Sequence, residues 1–130
     1  VLSLRQLDLP VKVVIFNNGS LGFVAMEMKA AGYLDTGTSL DNPDFAAMAE
    51  AIGIKGIRIE APEGLEAGLR DAFEHQGPVI VDVVTARQEL VLPPKIQAEQ
   101  ARGFSLFLLK AVMNGRGDEV LDLVRTQFRR

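Results

Sequence analysis

No cysteine occurs among the 130 residues, which excludes both a disulfide framework and a thiolate metal site. Histidine occurs once, at His75, so a multi-histidine zinc centre is excluded and Ser-His-Asp chemistry is disfavoured. Long apolar runs are also missing. The stretch FSLFLLKAVM, Phe104 to Met113, is too short and too interrupted to span a bilayer, which takes roughly 20 apolar residues. The sequence opens on Val1 and shows no signal-peptide pattern; a mature product or an excised fragment of a longer chain is expected. No internal repeat or low-complexity segment is present.

Hydrophobic residues make up 48% and charged residues 24%, proportions ordinary for a globular domain and long enough a chain for one core. The net charge of −3 is unevenly spread. Residues 1–101 hold 8 basic and 14 acidic residues, net −6, whereas residues 102–130 hold 6 basic and 3 acidic, net +3. A basic tail on an acidic body is a candidate for contact with a membrane or a partner; a solvated helix with a basic end accounts for it equally well. No nucleic-acid partner is expected.

The run VKVVIF, Val11 to Phe16, is β-branched and aromatic, which predicts a buried strand. VAMEMKAAG, Val24 to Gly32, is rich in helix formers and stops at glycine. Residues 33–42 are polar and turn-rich. Asn42 before Pro43 predicts the start of a second helix, with Phe45, Met48, Ala49 and Ile52 on one face and Gly53 ending it. KGIRIE predicts a strand, PEGLEAGLRDAFEHQG a helix with Leu65, Leu69, Ala72 and Phe73 inward, and PVIVDVV a third strand, apolar except for Asp82. Strands alternating with helices predict an α/β class: a doubly wound, mainly parallel sheet with helices on both faces. Beyond Val84 the pattern changes. Pro93-Pro94 breaks the chain, and two helical segments are expected at roughly Ile96 to Met113 and Asp118 to Arg129, giving a domain over 1–86 and a helical tail over 87–130.

Two adjacent asparagines, Asn17 and Asn18, sit where the first strand ends. Asparagine is a poor strand residue, so the pair either makes a turn or holds something. An amide oxygen is a hard, neutral ligand of the kind magnesium accepts. In open parallel sheets ligands gather at the carboxyl ends of strands, and a helix N-terminus just downstream favours phosphate oxygens. A diphosphate–metal site is chemically possible here; a bare turn is the simpler alternative.

FNNGSLGFVAMEMKAAGY, Phe16 to Tyr33, resembles the second half of the thiamine-diphosphate motif. The stretches NPDFAAMAEAIGIKGIRIE, GPVIVDVV and LVLPPKIQAEQARGFSLFLLKAVMNGRGDEVLDL are similar to the carboxyl-terminal region of the quinone-linked bacterial pyruvate oxidases within that family. The Gly-Asp-Gly signature that precedes the asparagines in the family does not occur in these residues. It would have to lie before Val1, so the resemblance implies the last part of a larger enzyme.

The resemblance implies the following roles. Asn18 gives its side-chain oxygen, and Ser20 its backbone carbonyl, to Mg²⁺. Asn17 and Gly19 shape the loop, and Leu21 and Gly22 border the diphosphate. Phe23 and Glu27 line a substrate pocket, where an apolar setting would raise the carboxyl pKa for proton transfer; core packing for Phe23 and a solvated position for Glu27 are the alternatives. The implied cofactors are thiamine diphosphate, Mg²⁺ and FAD, with FAD held mostly by a domain outside this chain. The implied reaction oxidatively decarboxylates pyruvate to acetate and CO₂ and passes electrons to a membrane quinone. An acetolactate synthase-like carboligase, a 2-keto acid decarboxylase and a non-catalytic binding module are the alternatives.

Met26, Met28 and Met48 are expected in helix packing, His75 near a helix end, and Asp82 is given no role. In the tail, Asp118 is the expected N-cap, with Val120, Leu121, Val124 and Phe128 on one face and Leu123 near it. An amphipathic helix with a basic end can lie in a membrane interface. The resemblance makes Leu108 to Arg130 a candidate phospholipid-binding segment of a cytoplasmic, peripherally membrane-associated homotetramer.

Overall fold

A computed structural model describes residues 1–87 and 97–128, the last two by backbone only. Pro93-Pro94 and the predicted helix start at Ile96 lie outside the described residues, as do Arg129 and Arg130. The described residues form three strands, β1 (Lys12–Asn17), β2 (Lys55–Ile59) and β3 (Val79–Val84), and six α-helices. These are α1 (Leu2–Gln6), α2 (Gly22–Ala30), α3 (Phe45–Ala51), α4 (Leu65–Glu74), α5 (Ala98–Met113) and α6 (Gly117–Phe128). The chain divides into two compact units: Val1–Asn18 with Asp41–Thr85, and Gly19–Leu40 with Ala86–Arg130.

The first unit is the predicted α/β sheet. All three strands are parallel, in the order β1-β3-β2. Continuous β-branched sequence places β3 in the middle, where every residue from Val79 to Val83 is buried. One face of the sheet packs Val79, Val81 and Val83 with Ile59 and with Ala72 of α4. The other packs Ile80 with Ile54, Ala49 of α3 and Leu4 of α1. Helices therefore cover both faces, as continuously apolar parallel strands require. The edge strand β1 is half-buried rather than buried, and Phe16 is exposed.

Small residues, not large ones, mark where the helices meet the sheet. Leu65 and Phe73 of α4 are exposed, contrary to expectation, and Ala72 is the helix's one buried residue among those described. The reason is close approach. A Cβ added to Gly68 would come within 2.6 Å of the Ile59 side chain, so the contact line runs through Gly68 and Ala72 and the large side chains flank it. On α3 likewise Met48, expected on the inward face, is exposed, whereas the small Ala46 and Ala49 are buried. A Cβ at Gly56 would stand 2.1 Å from the Ala46 carbonyl oxygen. The cap of α3 is Asp44, not Asn42: its carboxylate accepts from the Ala47 N–H at 2.9 Å, a standard N-cap bond.

The second unit is helical. Helix α2 begins two residues earlier than expected and ends before Gly32, whose φ of 81° reverses the chain. It packs on α5 at Gly103, where a Cβ would meet the Ala30 carbonyl oxygen at 1.9 Å. Phe107, Ala111 and Leu123 form the core, with Leu34, Phe104, Leu108 and Val120 around it. The inward face of α6 is thus Leu123 with Val120, while Leu121 and Val124 are exposed; the expected apolar stripe is split between core and solvent. The Phe128 side chain lies outside the described atoms. Helix α6 starts at Gly117, so Asp118 sits in its first turn rather than at the cap, where its charge still favours the helix dipole.

Candidate cofactor site

In the first unit, Asn17 closes β1 at the carboxyl end of the sheet, paired with Val84 in register. Its side chain is pinned at both ends. Nδ2 donates to Asp82 Oδ1 at 3.0 Å, and Oδ1 accepts from Asn42 Nδ2 at 2.9 Å. Its backbone carbonyl accepts from the Thr85 N–H at 3.0 Å. Asn18 follows directly.

Asp82 is fully buried on β3 and had no role in the sequence pattern. Its second oxygen accepts from Arg58 Nη1 at 2.6 Å and from the Phe45 N–H at 3.3 Å. One carboxylate therefore ties the end of β1, the start of α3 and strand β2. The Arg58 guanidinium also donates to Glu60 at 2.8 Å and lies 3.9 Å from Asp44. Its pKa is raised, first by the Glu60 hydrogen bond and further by the charges of Asp82 and Asp44, against partial desolvation. Sequence reasoning missed this network because the partners of Asp82 lie 24 to 65 residues away from it. The one signal was a charged residue in an otherwise apolar central strand.

In the second unit, Gly19 adopts a φ of 60°, a left-handed conformation that glycine enters without Cβ strain. Ser20 and Ser39 form an antiparallel bridge. Its bonds run from the Leu40 N–H to the Gly19 carbonyl at 2.9 Å and from the Leu21 N–H to the Thr38 carbonyl at 2.8 Å. Neither of these two bonds uses the Ser20 carbonyl. The Ser20 hydroxyl donates to the Thr38 carbonyl at 3.2 Å.

Helix α2 then opens at Gly22 with no side-chain cap bond and no acidic residue in its first turn. Phe23 is 75% exposed, and Glu27, four residues on and on the same helix face, is exposed too. Leu21 and Val24 are also exposed. The structure thus sets Gly19 to Glu27 along one turn-and-helix segment, on which Phe23 and Glu27 are exposed among the described residues. Met26 and Met28 are half-buried in α2, and His75 is exposed at the end of α4.

These residues fit part of a diphosphate–magnesium site. Amide and carbonyl oxygens suit a hard cation, and a helix N-terminus without a capping side chain suits phosphate. Among the described residues no group of three or more His, Cys, Asp or Glu side chains could hold a metal ion.

Residues 1–83 match the family described as "Thiamine pyrophosphate enzyme, C-terminal TPP binding domain". The chain belongs to this family. Among curated relatives it is 39% identical over 118 residues to YdaP of Bacillus subtilis, named as a thiamine pyrophosphate-containing protein; the match covers 91% of this chain and 20% of that one. It is 36% identical over 93 residues to the mitochondrial acetolactate synthase of Schizosaccharomyces pombe, covering 70% of this chain and 14% of the relative. It is also 36% identical over 89 residues to the acetolactate synthase catalytic subunit of Saccharomyces cerevisiae, covering 68% and 13%. The chain therefore spans a fifth or less of the length of these relatives. Thiamine pyrophosphate is the cofactor of the family. The finer expectation of a pyruvate oxidase is not what these names carry.

Proposed function

We propose that this chain is the C-terminal cofactor-binding part of a thiamine-diphosphate enzyme acting on pyruvate, with an acetolactate synthase-type carboligase as the leading reading. The observation that carries it is the strand–turn–helix segment Asn17 to Glu27 in a family member whose named relatives include acetolactate synthases. Such an enzyme would join two pyruvates with loss of one CO₂.

In this reading Asn18 and Ser20 offer oxygens to Mg²⁺, and the N–H groups opening α2 face the diphosphate. The bound cofactor supplies a nucleophilic carbon and an electron sink for decarboxylation. The chain's own residues bind and orient. Gly19 and Gly22 let the backbone approach the ligand closely. Phe23 excludes water beside the substrate, and Glu27 holds or moves a proton once another surface covers it.

A second reading is the pyruvate:quinone oxidoreductase, which would yield acetate and CO₂ and use FAD. It draws on the resemblance of the tail to the quinone-linked enzymes; the match to YdaP, which covers 91% of this chain, also extends into residues 87–130, but its name states no activity. Exposed Leu121 and Val124 on a basic tail agree with a lipid-facing role for Leu108 to Arg130.

The test is product analysis. Full-length protein supplied with thiamine diphosphate, Mg²⁺, FAD and pyruvate should form acetolactate. Acetate with stoichiometric reduction of a soluble electron acceptor would transfer the assignment to the second reading. Turnover of neither kind, by protein that binds the cofactor, would overturn both.

A further inference from the structure

We infer that Asp82 is a positioning residue for the metal ligand at Asn18, acting through Asn17. The inference rests on the reading of Asn18 given above. A carboxylate can only accept hydrogen bonds, so Asp82 Oδ1 at 3.0 Å dictates that Asn17 presents Nδ2 to it. The amide oxygen of Asn17 must then face the other way, where Asn42 Nδ2 donates to it at 2.9 Å. The amide is thereby fixed in orientation, and the Thr85 N–H fixes the carbonyl of the same residue. The residue immediately before Asn18 is held at three points, so Asn18 departs from an immobilised backbone.

A plain ion pair would not require this arrangement. Arg58 at 2.6 Å is enough to balance the charge of Asp82, and a buried pair serving stability alone can often be replaced by apolar residues without loss. Here the carboxylate divides its two oxygens. One faces Arg58 and the Phe45 N–H, which make the buried charge tolerable. The other is committed to the bend that carries the ligand. Removing a group that orients a metal ligand from behind typically costs about 10- to 100-fold in metal affinity.

The test is a titration of Mn²⁺ into full-length protein saturated with thiamine diphosphate, read by calorimetry well below the thermal transition of each variant. D82N keeps the shape of the side chain and gives up its charge. It should weaken Mn²⁺ about 10- to 100-fold. N42A removes only the bond to Asn17 Oδ1, from a half-buried loop position, and should weaken it severalfold; it decides the matter if D82N does not fold. A72G, in the opposite face of the sheet, should lower stability and leave Mn²⁺ affinity unchanged. N18A tests the underlying reading. If N18A binds Mn²⁺ like the parent, that reading fails and the inference with it. If N18A loses affinity while folded D82N and N42A bind within twofold of the parent, the inference alone is overturned.

Discussion

Arg116, just before α6, donates to the half-buried carboxylate of Asp35 across 81 residues of sequence. The same guanidinium donates to Glu119 at 2.6 and 2.9 Å, and Asp35 lies 3.5 Å from the buried Lys29 ammonium. Lys29 in turn stands 5.3 Å from the Phe107 ring centroid. The charges of α2, the 31–40 loop and α6 thus converge on the core of the second unit. The Arg116 pKa is raised by its Glu119 bond first and then by Asp35, against desolvation.

Replacing Arg116 with methionine should therefore be costly although the residue is partly exposed. Asp35 keeps Lys29 but loses its closest partner, and leaving a half-buried charge under-compensated costs on the order of 1–3 kcal/mol. Urea denaturation of the variant, fitted for its midpoint, measures this. A midpoint equal to the parent's would show that the pair contributes nothing.

Acid should act on the same carboxyl. Burial pushes the Asp35 pKa up, but the Arg116 hydrogen bond and the charges of Lys29 and Arg116 outweigh it and hold the pKa below its ordinary 3.8. The unfolded chain then binds the proton more readily than the folded one. The stabilisation is complete above the ordinary value and is lost as pH falls from there through the lowered folded value. Denaturation midpoints compared at about pH 5 and about pH 3 should fall less steeply for D35N than for the parent.

Gly103 should tolerate no side chain. The atom a Cβ would strike is backbone oxygen, at 1.9 Å, so relief requires α2 and α5 to part. G103A should cost about 1–3 kcal/mol or more, seen as a lowered thermal midpoint. G117A is the control, since nothing lies within 4 Å of a Cβ there; it should be neutral or stabilise by about 0.5 kcal/mol.

Losing the α3 cap should be milder. D44A removes the carboxylate that accepts from the Ala47 N–H and should cost about 1 kcal/mol. D44N, which retains an acceptor oxygen, should recover most of the difference in the same melt.

The sheet was legible because its strands are near-continuous β-branched runs, and Val79 to Val83 could hardly be anything but a central strand. The contact lines of the helices were not. Large apolar residues such as Leu65 and Phe73 signal an inward face only where the helix stands off from its neighbour. Where it comes close, Gly68, Ala72, Ala46 and Gly103 occupy the contact, and their small size hides them from a hydrophobicity pattern. Helix α1 escaped notice because its five residues LSLRQ carry neither a cap nor a full period. At the candidate site the Asn-Asn-Gly turn could be read from the sequence, whereas the clamp on Asn17 depends on Asn42 and Asp82, contacts that only the crossover topology creates.

The order in which a ribosome releases these segments sets a further constraint. Helix α2 leaves the tunnel well before α5, yet its buried lysine, its last turn and the following loop find their counterparts among residues 103–116. Until that later stretch has been synthesised, the nascent Gly19–Leu40 segment lacks the α5 and α6 residues that it packs on. Contacts so distant along the chain form slowly, and a polypeptide stopped after Thr85 would leave Lys29 and Asp35 without the surroundings that stabilise them.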